Sequence, residues 1–365
     1  MAKHLIDITD LTKQELEEIL DLGEKIIADR EKFSEVCKGK KLATLFYEPS
    51  TRTRLSFTSA MMELGGNVLG FSDAKSSSVA KGETCADTTK VINCFADIIA
   101  MRHFEEGAAT VAALNSKVPV INAGDGSHSH PTQTLTDLLT IKRELGRIDD
   151  ITIGFCGDLK FGRTVHSLIK ALSNYKNIKV ILIAPEQLRL PDYMKHEVCE
   201  LNNVPYVEVD SIEPVISQLD VLYMTRVQKE RFLDEDEYDR VKDFFVLTAD
   251  KLKNAKSDMA ILHPLPRVNE ISTDVDSDPR AAYFRQVENG KFVRMALISK
   301  LLEWVKDPEK DSVLIPDNVV KGEFICRNKR CISNMESGVV SLFRPAHDCT
   351  GGWRCVYCES KPLKG

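Results

Sequence analysis

Phe46-Tyr47-Glu48-Pro49-Ser50-Thr51-Arg52-Thr53-Arg54-Leu55-Ser56-Phe57 joins two kinds of structure. The residues before it, Leu42 to Phe46, form a short apolar run that reads as a buried strand. Pro49 breaks the strand, and Ser50 and Thr51 are favoured N-cap types. Leu55, Thr58, Ala60, Met61 and Met62 then give an apolar stripe at helical spacing. Hydroxyls and guanidinium groups therefore sit where a strand becomes a helix. The first turn of a helix has unpaired N–H groups and a partial positive charge, which suits a phosphate. The helix dipole would add about 0.3–1 kcal/mol, whereas a charge-assisted bond from an arginine is worth roughly 1.5–3 kcal/mol, so Arg52 or Arg54 would dominate. An ordinary N-cap with surface arginines is the plainer reading. Two hydroxyl–basic pairs repeated directly behind a proline break favour the anion site.

The same strand, polar turn, helix pattern recurs outward from this junction. Asp97–Met101 reads as a strand ending at Arg102-His103, and Val118–Ala123 as one running into Gly124–Gln133, which holds His130 and Gln133. Ile151–Cys156 reads as a strand that leads through Gly157–Gly162 to Arg163 at a helix start. Lys179–Ala184 is a further strand, and Asp220–Met224 ends at Thr225-Arg226-Val227-Gln228. Ala260–Leu262 enters His263-Pro264-Leu265-Pro266-Arg267, where prolines remove N–H donors and leave carbonyls on offer. Helices are expected over Lys13–Asp29 (capped by Thr12 or Asp10), Thr84–Phe95, Leu135–Leu145 and Phe292–Val305. This is the parallel α/β pattern, with ligands at the strand C-termini. Ser72–Thr84, polar and Ser-rich, reads as a loop that carries Ser77 and Lys81, either a plain linker or a mobile arm delivering Lys81 to an anion. Residues 229–244 are charge-dense and read as a solvated surface loop. The Gly157-x4-Gly162 spacing lacks the Gly-Lys-Ser/Thr of a nucleotide loop, and an arginine there is better suited to a carboxylate. Three domains follow: residues 1–134 and 135–306 as two similar parallel-sheet domains flanked by helices, helix 292–305 packing back on the first, and residues 311–365 as a small β-rich module behind the linker Lys306–Lys310.

The chain has 365 residues, 43% hydrophobic and 28% charged, with a formal net charge of −6. That balance belongs to a globular protein with a large core and argues against a dedicated nucleic-acid binder. Arg327, Lys329, Arg330 and Trp353 are the only local support for one. No apolar signal core or membrane-length run is present, which gives a cytoplasmic protein as the expectation. Five of the ten cysteines are scattered before residue 310 and five crowd the final 40 residues. Cys326-x4-Cys331 and Cys355-x2-Cys358 are two knuckles that together make a tetrahedral, structural Zn²⁺ site. His347 and Cys349 have no knuckle partner. Metal binding, roughly 10–16 kcal/mol in small zinc peptides, would supply much of the stability of so small a module.

Ser50-Thr51-Arg52-Thr53-Arg54 behind Phe46-Tyr47-Glu48-Pro49, together with His130-Pro131-Thr132-Gln133 and His263-Pro264-Leu265-Pro266, resembles the aspartate and ornithine carbamoyltransferases, and the resemblance runs in order over nearly all of residues 1–306. His-Pro-Leu-Pro, in place of the His-Cys-Leu-Pro usual in ornithine enzymes, favours the aspartate branch. Arg163, Arg226 and Gln228 point the same way, since two arginines suit a dicarboxylic amino acid and repel a cationic one. The resemblance implies carbamoyl phosphate held by Ser50, Thr51, Arg52, Thr53 and Arg102, with Ser77 and Lys81 supplied by a neighbouring subunit of a homotrimer, or a dimer of trimers. It implies Thr53, Arg102 and His130 at the carbonyl oxygen, Gln133 and the carbonyls of Leu265 and Pro266 at the N–H groups, and Arg163, Arg226, Gln228, Lys81 and Leu265 around L-aspartate. The reaction would yield N-carbamoyl-L-aspartate, an early pyrimidine precursor, without a covalent intermediate, catalytic metal or organic cofactor. The tail resembles the zinc domain of the aspartate carbamoyltransferase regulatory chain, on Cys326-Arg-Asn-Lys-Arg-Cys331-Ile-Ser and Cys355-Val-Tyr-Cys358. The nucleotide-binding domain that normally precedes it does not intervene after Val305, so the chain alone is expected not to answer to CTP or ATP. The module would brace catalytic trimers or recruit a separate regulatory chain. The alternatives are a carbamoyltransferase for another amino acid, such as ornithine, and a non-catalytic regulatory paralogue, which the presence of Arg52, Arg102 and His130 disfavours.

Overall fold

The computed structural model describes residues 2–227, 245–346 and 351–363. These form two compact units, the first made of residues 1–132 and 291–365 and the second of residues 133–290.

In the first unit four strands, β1 (Lys41–Phe46), β2 (Asn67–Phe71), β3 (Ile98–His103) and β4 (Val120–Asp125), pair in parallel in the order β2-β1-β3-β4. Their near-continuous apolar sequences are what a sheet covered on both faces demands; every residue of β4 is buried. The covering helices include α1 (Lys13–Ala28), α2 (Thr51–Glu63), α3 (Cys85–Ile92) and α4 (Ala108–Leu114). Thr12, not Asp10, caps α1, in a reciprocal capping box with Glu15. Ser72–Thr84 is more ordered than its composition predicts, with two 3₁₀ turns at Ala74–Ser76 and Ser78–Lys81.

Helix α5 (Pro131–Leu145), most of which belongs to the second unit, begins four residues earlier than its apolar stripe indicates, because proline is well tolerated in a first turn. Five parallel strands, β5 (Thr152–Cys156), β6 (Lys179–Ile183), β7 (Tyr206–Val209), β8 (Val221–Met224) and β9 (Ala260–Leu262), follow in the order β7-β6-β5-β8-β9, and α6 (Arg163–Leu172) follows β5. The last long helix, α7 (Tyr283–Trp304), begins nine residues before the expected Phe292. Asn and Gly are poor helix formers, but Asn289 is buried and donates to Thr140 Oγ1 (3.1 Å), and the helix runs through Asn289-Gly290.

The tail is a three-stranded antiparallel sheet, β10 (Val320–Lys321), β11 (Leu342–Pro345) and β12 (Trp353–Cys355), in that order. It shares one apolar cluster with Ala43, Leu45, Met101 and α4, through Ile332, Phe343 and Tyr357. Gly107 marks the seat: a Cβ there would lie 2.4 Å from that of Tyr357. The Glu106 backbone donates to Arg330 O and accepts from Ile332 N, both at 3.0 Å. Glu336 accepts from the N–H groups of Cys85 (2.7 Å) and Ala86 (3.3 Å), capping α3 from the tail. Among the described residues no helix is long and apolar enough to cross a membrane.

Candidate active site

In each sheet the chain adds strands in one direction, returns, and adds the rest on the other side. The reversal lies between β1 and β3 in the first unit and between β5 and β8 in the second. Neighbouring loops part at such a point and leave a crevice at the carboxyl ends of the strands.

At the first reversal, the Tyr47 N–H donates to Arg102 O (2.8 Å), which ties the end of β1 to the end of β3. Ser50 is the N-cap of α2 in extended geometry, but its hydroxyl makes no bond to the helix. Thr51, Arg52 and Thr53 supply the first turn, Thr53 buried and Arg52 exposed. Arg102 lies mostly buried, its Nη2 2.8 Å from Glu48 and its Nη1 3.4 Å from the Ala123 carbonyl. Burial, and then Arg102, hold the Arg52 guanidinium below its ordinary pKa. Burial also lowers that of Arg102, against Glu48 and Asp125. The mostly buried Arg102 thus sets a like charge near Arg52, an arrangement that a dianion relieves. Gly124, at φ +117°, makes room for the third member: its missing Cβ would lie 2.8 Å from Arg102 Nη1 and 3.5 Å from His130 Cδ2. The next side chain along β3, His103, is pushed by burial to about 4 and is neutral; its Nδ1 accepts from Glu105 N (3.0 Å).

Arg294 is a residue that motif reading missed. It is buried, donates to Ser56 Oγ and Thr132 Oγ1 (both 3.1 Å), and stacks on Phe57. It thereby ties α2 to the residues beside His130. Its signal was a lone cation inside the apolar run Phe292–Ile298.

At the second reversal, Thr225 Oγ1 donates to Cys156 O (3.0 Å) and accepts from Asp158 N (2.9 Å), stitching the end of β8 to that of β5. Gly157, at φ +117°, permits it, since a Cβ would sit 2.4 Å from Thr225 O. The stitch brings side by side the loops that carry Arg163, first residue of α6, and Arg226, both half-buried. Gln228 lies outside the described residues. On the adjacent β9, His263 turns the chain: its Nδ1 accepts from Leu265 N (2.8 Å) and its Nε2 meets Glu270 (2.7 Å). Burial works against ionisation of Glu270, yet bonds from His263 and the Val268 N–H hold its pKa below the ordinary value. The Leu265-Pro266 bond is cis, with Leu265 at φ +52°. Gln133, in the first turn of α5, donates to Asp137 (2.7 Å). Ser77 is engaged in its own turn, donating to Ala74 O (2.8 Å), and Lys81 stands exposed on the same loop.

In the tail, Cys326, Cys331, Cys355 and Cys358 are buried, with all four sulfurs within 4.8 Å of one another. The Cys326–Cys358 and Cys331–Cys355 pairs stand 3.4 and 3.7 Å apart. Four thiolates about 2.3 Å from a central ion are roughly 3.8 Å apart by tetrahedral geometry, so the donor set fits one.

Comparison with known proteins matches residues 3–143 to the carbamoyl-P binding domain of aspartate/ornithine carbamoyltransferases, 149–301 to their Asp/Orn binding domain, and 318–363 to the metal binding domain of the aspartate carbamoyltransferase regulatory chain. The aspartate carbamoyltransferase catalytic subunit of Lachnoclostridium phytofermentans is 63% identical over 303 residues, 83% of this chain and 99% of that protein. The chain belongs to the aspartate carbamoyltransferase family. The catalytic subunit of Clostridium acetobutylicum is 61% identical over 301 residues, 82% of this chain and 98% of that protein. Among solved members of the family, the M. jannaschii catalytic subunit superposes with a TM-score of 0.77 at 50% identity, covering 84% of this chain and 99% of that one. The Trypanosoma cruzi enzyme, in complex with carbamoyl aspartate and phosphate, gives 0.77 at 38% identity over 82% and 95%. The two carbamoyltransferase domain matches end at residue 301, and the regulatory-chain match begins at residue 318.

Proposed function

We propose that this chain transfers the carbamoyl group of carbamoyl phosphate to the α-amino group of L-aspartate, with the residues at its two strand reversals in distinct roles. The phosphate rests on the first turn of α2, on Ser50, Thr51, Arg52 and Thr53, with Arg102. As the amine attacks the carbonyl carbon, charge gathers on the carbonyl oxygen. Thr53, Arg102 and His130 donate to it, and one such donor is typically worth about 2.7–4 kcal/mol. Gln133 and the carbonyls of Leu265 and Pro266 accept from the substrate N–H groups. Arg163, Arg226 and Gln228 hold the aspartate carboxylates, and the departing phosphate takes the amine's proton. Much of the acceleration comes from orienting two bound substrates.

The assembly is a homotrimer in which Ser77 and Lys81 act in a neighbour's site; the exposure of Lys81 on its own chain supports this. The four tail cysteines hold Zn²⁺, whose role is to fix the fold of the tail. Metal-type cysteine pairs suit a reducing compartment, which supports a cytoplasmic enzyme.

The observation that carries the reading is the meeting of Arg102 and His130 over Gly124, beside Arg52. Purified protein given carbamoyl phosphate with aspartate, ornithine or N-acetylornithine should release phosphate and N-carbamoyl-aspartate with aspartate alone. Carbamoylation of ornithine, or of nothing, would overturn it.

A further inference from the structure

Asp137 is fully buried in α5, one turn after Gln133. Its Oδ1 accepts from Gln133 Nε2 (2.7 Å) and from Gln286 Nε2 (2.6 Å), and its Oδ2 accepts from the Tyr223 hydroxyl (2.9 Å). Gln286, buried in α7, accepts on its Oε1 from the backbone N–H of His263 (2.9 Å). His263 in turn accepts from Leu265 N. The residues involved come from α5, β8, α7 and the turn after β9.

The direction of every bond in this chain is forced. A backbone N–H can only donate, so Gln286 must show its oxygen to His263 and its NH2 to Asp137. An ionised carboxylate can only accept, so Gln133 must also give its NH2 to Asp137. That leaves the Gln133 oxygen as the end not used by the relay. At the other end, the bond from the Leu265 N–H to His263 Nδ1 leaves that ring's Nε2–H to donate to Glu270 and pins the backbone at Leu265, whose carbonyl belongs to the next peptide, the one to Pro266, which has no N–H. An apolar residue at 137 would avoid the cost of burying a charge, but it would let the Gln133 amide turn over and leave Gln286 held by the His263 N–H alone.

We infer that Asp137 is a positioning residue that holds two acceptors in place, fixing directly which end of the Gln133 amide is presented and, through Gln286 and the turn at His263, where the Leu265 carbonyl stands. Two acceptors held this way select a donor whose acyl group ends in NH2 and reject one that ends in CH3. This rests on the proposed placing of Gln133 and Leu265 at the carbamoyl nitrogen. A site built to bond an N–H rejects the analogue lacking it strongly, because its own polar groups are left unpaired.

The test uses the full chain and three probes: carbamoyl phosphate, acetyl phosphate and inorganic phosphate, each by equilibrium binding. Asp137→Leu should weaken carbamoyl phosphate by about 10- to 100-fold, leave inorganic phosphate within about twofold, and bring acetyl and carbamoyl phosphate toward equal affinity. Tyr223→Phe, which spares Oδ1, should change the ratio by less than about threefold. Should Asp137→Leu fail to fold, Gln286→Leu carries the same test, since it severs the link to His263 and keeps the Gln133–Asp137 bond. Equal losses for carbamoyl and inorganic phosphate, or an unchanged carbamoyl-to-acetyl ratio, would overturn the inference. Gln133→Ala separates the two levels: if it also leaves that ratio unchanged, the placing of Gln133 fails, whereas an effect of Gln133→Ala without one of Asp137→Leu or Gln286→Leu refutes the relay.

Discussion

The loops after β1 and β3 hold Arg102 close enough to Arg52 to lower its pKa, with Glu48 as the acidic partner of Arg102. The loops after β5, β8 and β9 are organised differently: Thr225 binds both strand ends, Asp137 gathers the hydroxyl and amides of three elements, and His263 pairs with Glu270. Both sets grow from the same topological event, a sheet that reverses its direction of growth. The first keeps an electrostatic imbalance directed at its ligand. The second resolves its own polar groups internally and offers orientation. In the proposed reading, a dianionic substrate is drawn by charge to the first kind, and the planar amide and amino acid are read by the second.

The contrast breaks most completely at Arg102. Arg102→Ala should reduce kcat by about 10³-fold, the upper range for loss of a donor to a developing oxyanion, with a parallel loss of phosphate affinity. Steady-state phosphate release at saturating aspartate measures both. Next in size is complementation: Lys81→Ala and Arg52→Ala chains, each nearly inactive, should regain activity when dissociated and reassociated together, because some sites then draw intact residues from both. Absence of recovery removes Lys81 from any shared site. Removing the metal with a chelator should come third. About one Zn²⁺ per chain should leave, the thermal midpoint should fall, and protease sites in residues 318–363 should open, since a small module draws much of its stability from the metal. A smaller effect sharpens the second half of the comparison. Thr225→Val should raise KM for aspartate by roughly 10-fold, with binding of carbamoyl phosphate nearly unchanged, as one or two stitching bonds are lost.

The smallest expected effect concerns His128, on the turn after β4. Burial would lower its pKa, but Asp125 at 3.1 Å, with Glu359 and Asp7, raises it to about 10. A histidine with a raised folded-state pKa stabilises the fold fully below its unfolded value near 6.5, and that contribution is lost as pH climbs toward 10. Denaturant midpoints should therefore decline between those limits, and His128→Asn should flatten the decline.

Much of this was legible in the chain because the features are local. The proline break after Phe46, the His130–Gln133 run and the two cysteine knuckles each lie within a few residues. Elements with no local contrast were not legible. Helix α4, Ala-Ala-Thr-Val-Ala-Ala-Leu, is almost entirely buried and so shows no polar face, and β7 is a short, half-exposed edge strand with a glutamate in it. Asp137 could be seen only as one more polar residue of an amphipathic helix, since its partners Tyr223 and Gln286 lie 86 and 149 positions away. The seat of the tail depends on Glu106, Gly107 and Glu336, none of which belongs to a motif.

The carboxylate that caps α3 has a consequence in time. Thr84 provides for the Asp87 N–H from next door, but the N–H groups of Cys85 and Ala86 depend on Glu336, 251 and 250 positions downstream. During synthesis, then, the helix that anchors the Lys81 arm emerges with an unfinished first turn and waits for nearly the whole polypeptide to be made. The arm can acquire its firm base only once the chain has been made as far as Glu336, so the cysteine-bearing end and the base of the arm are completed together.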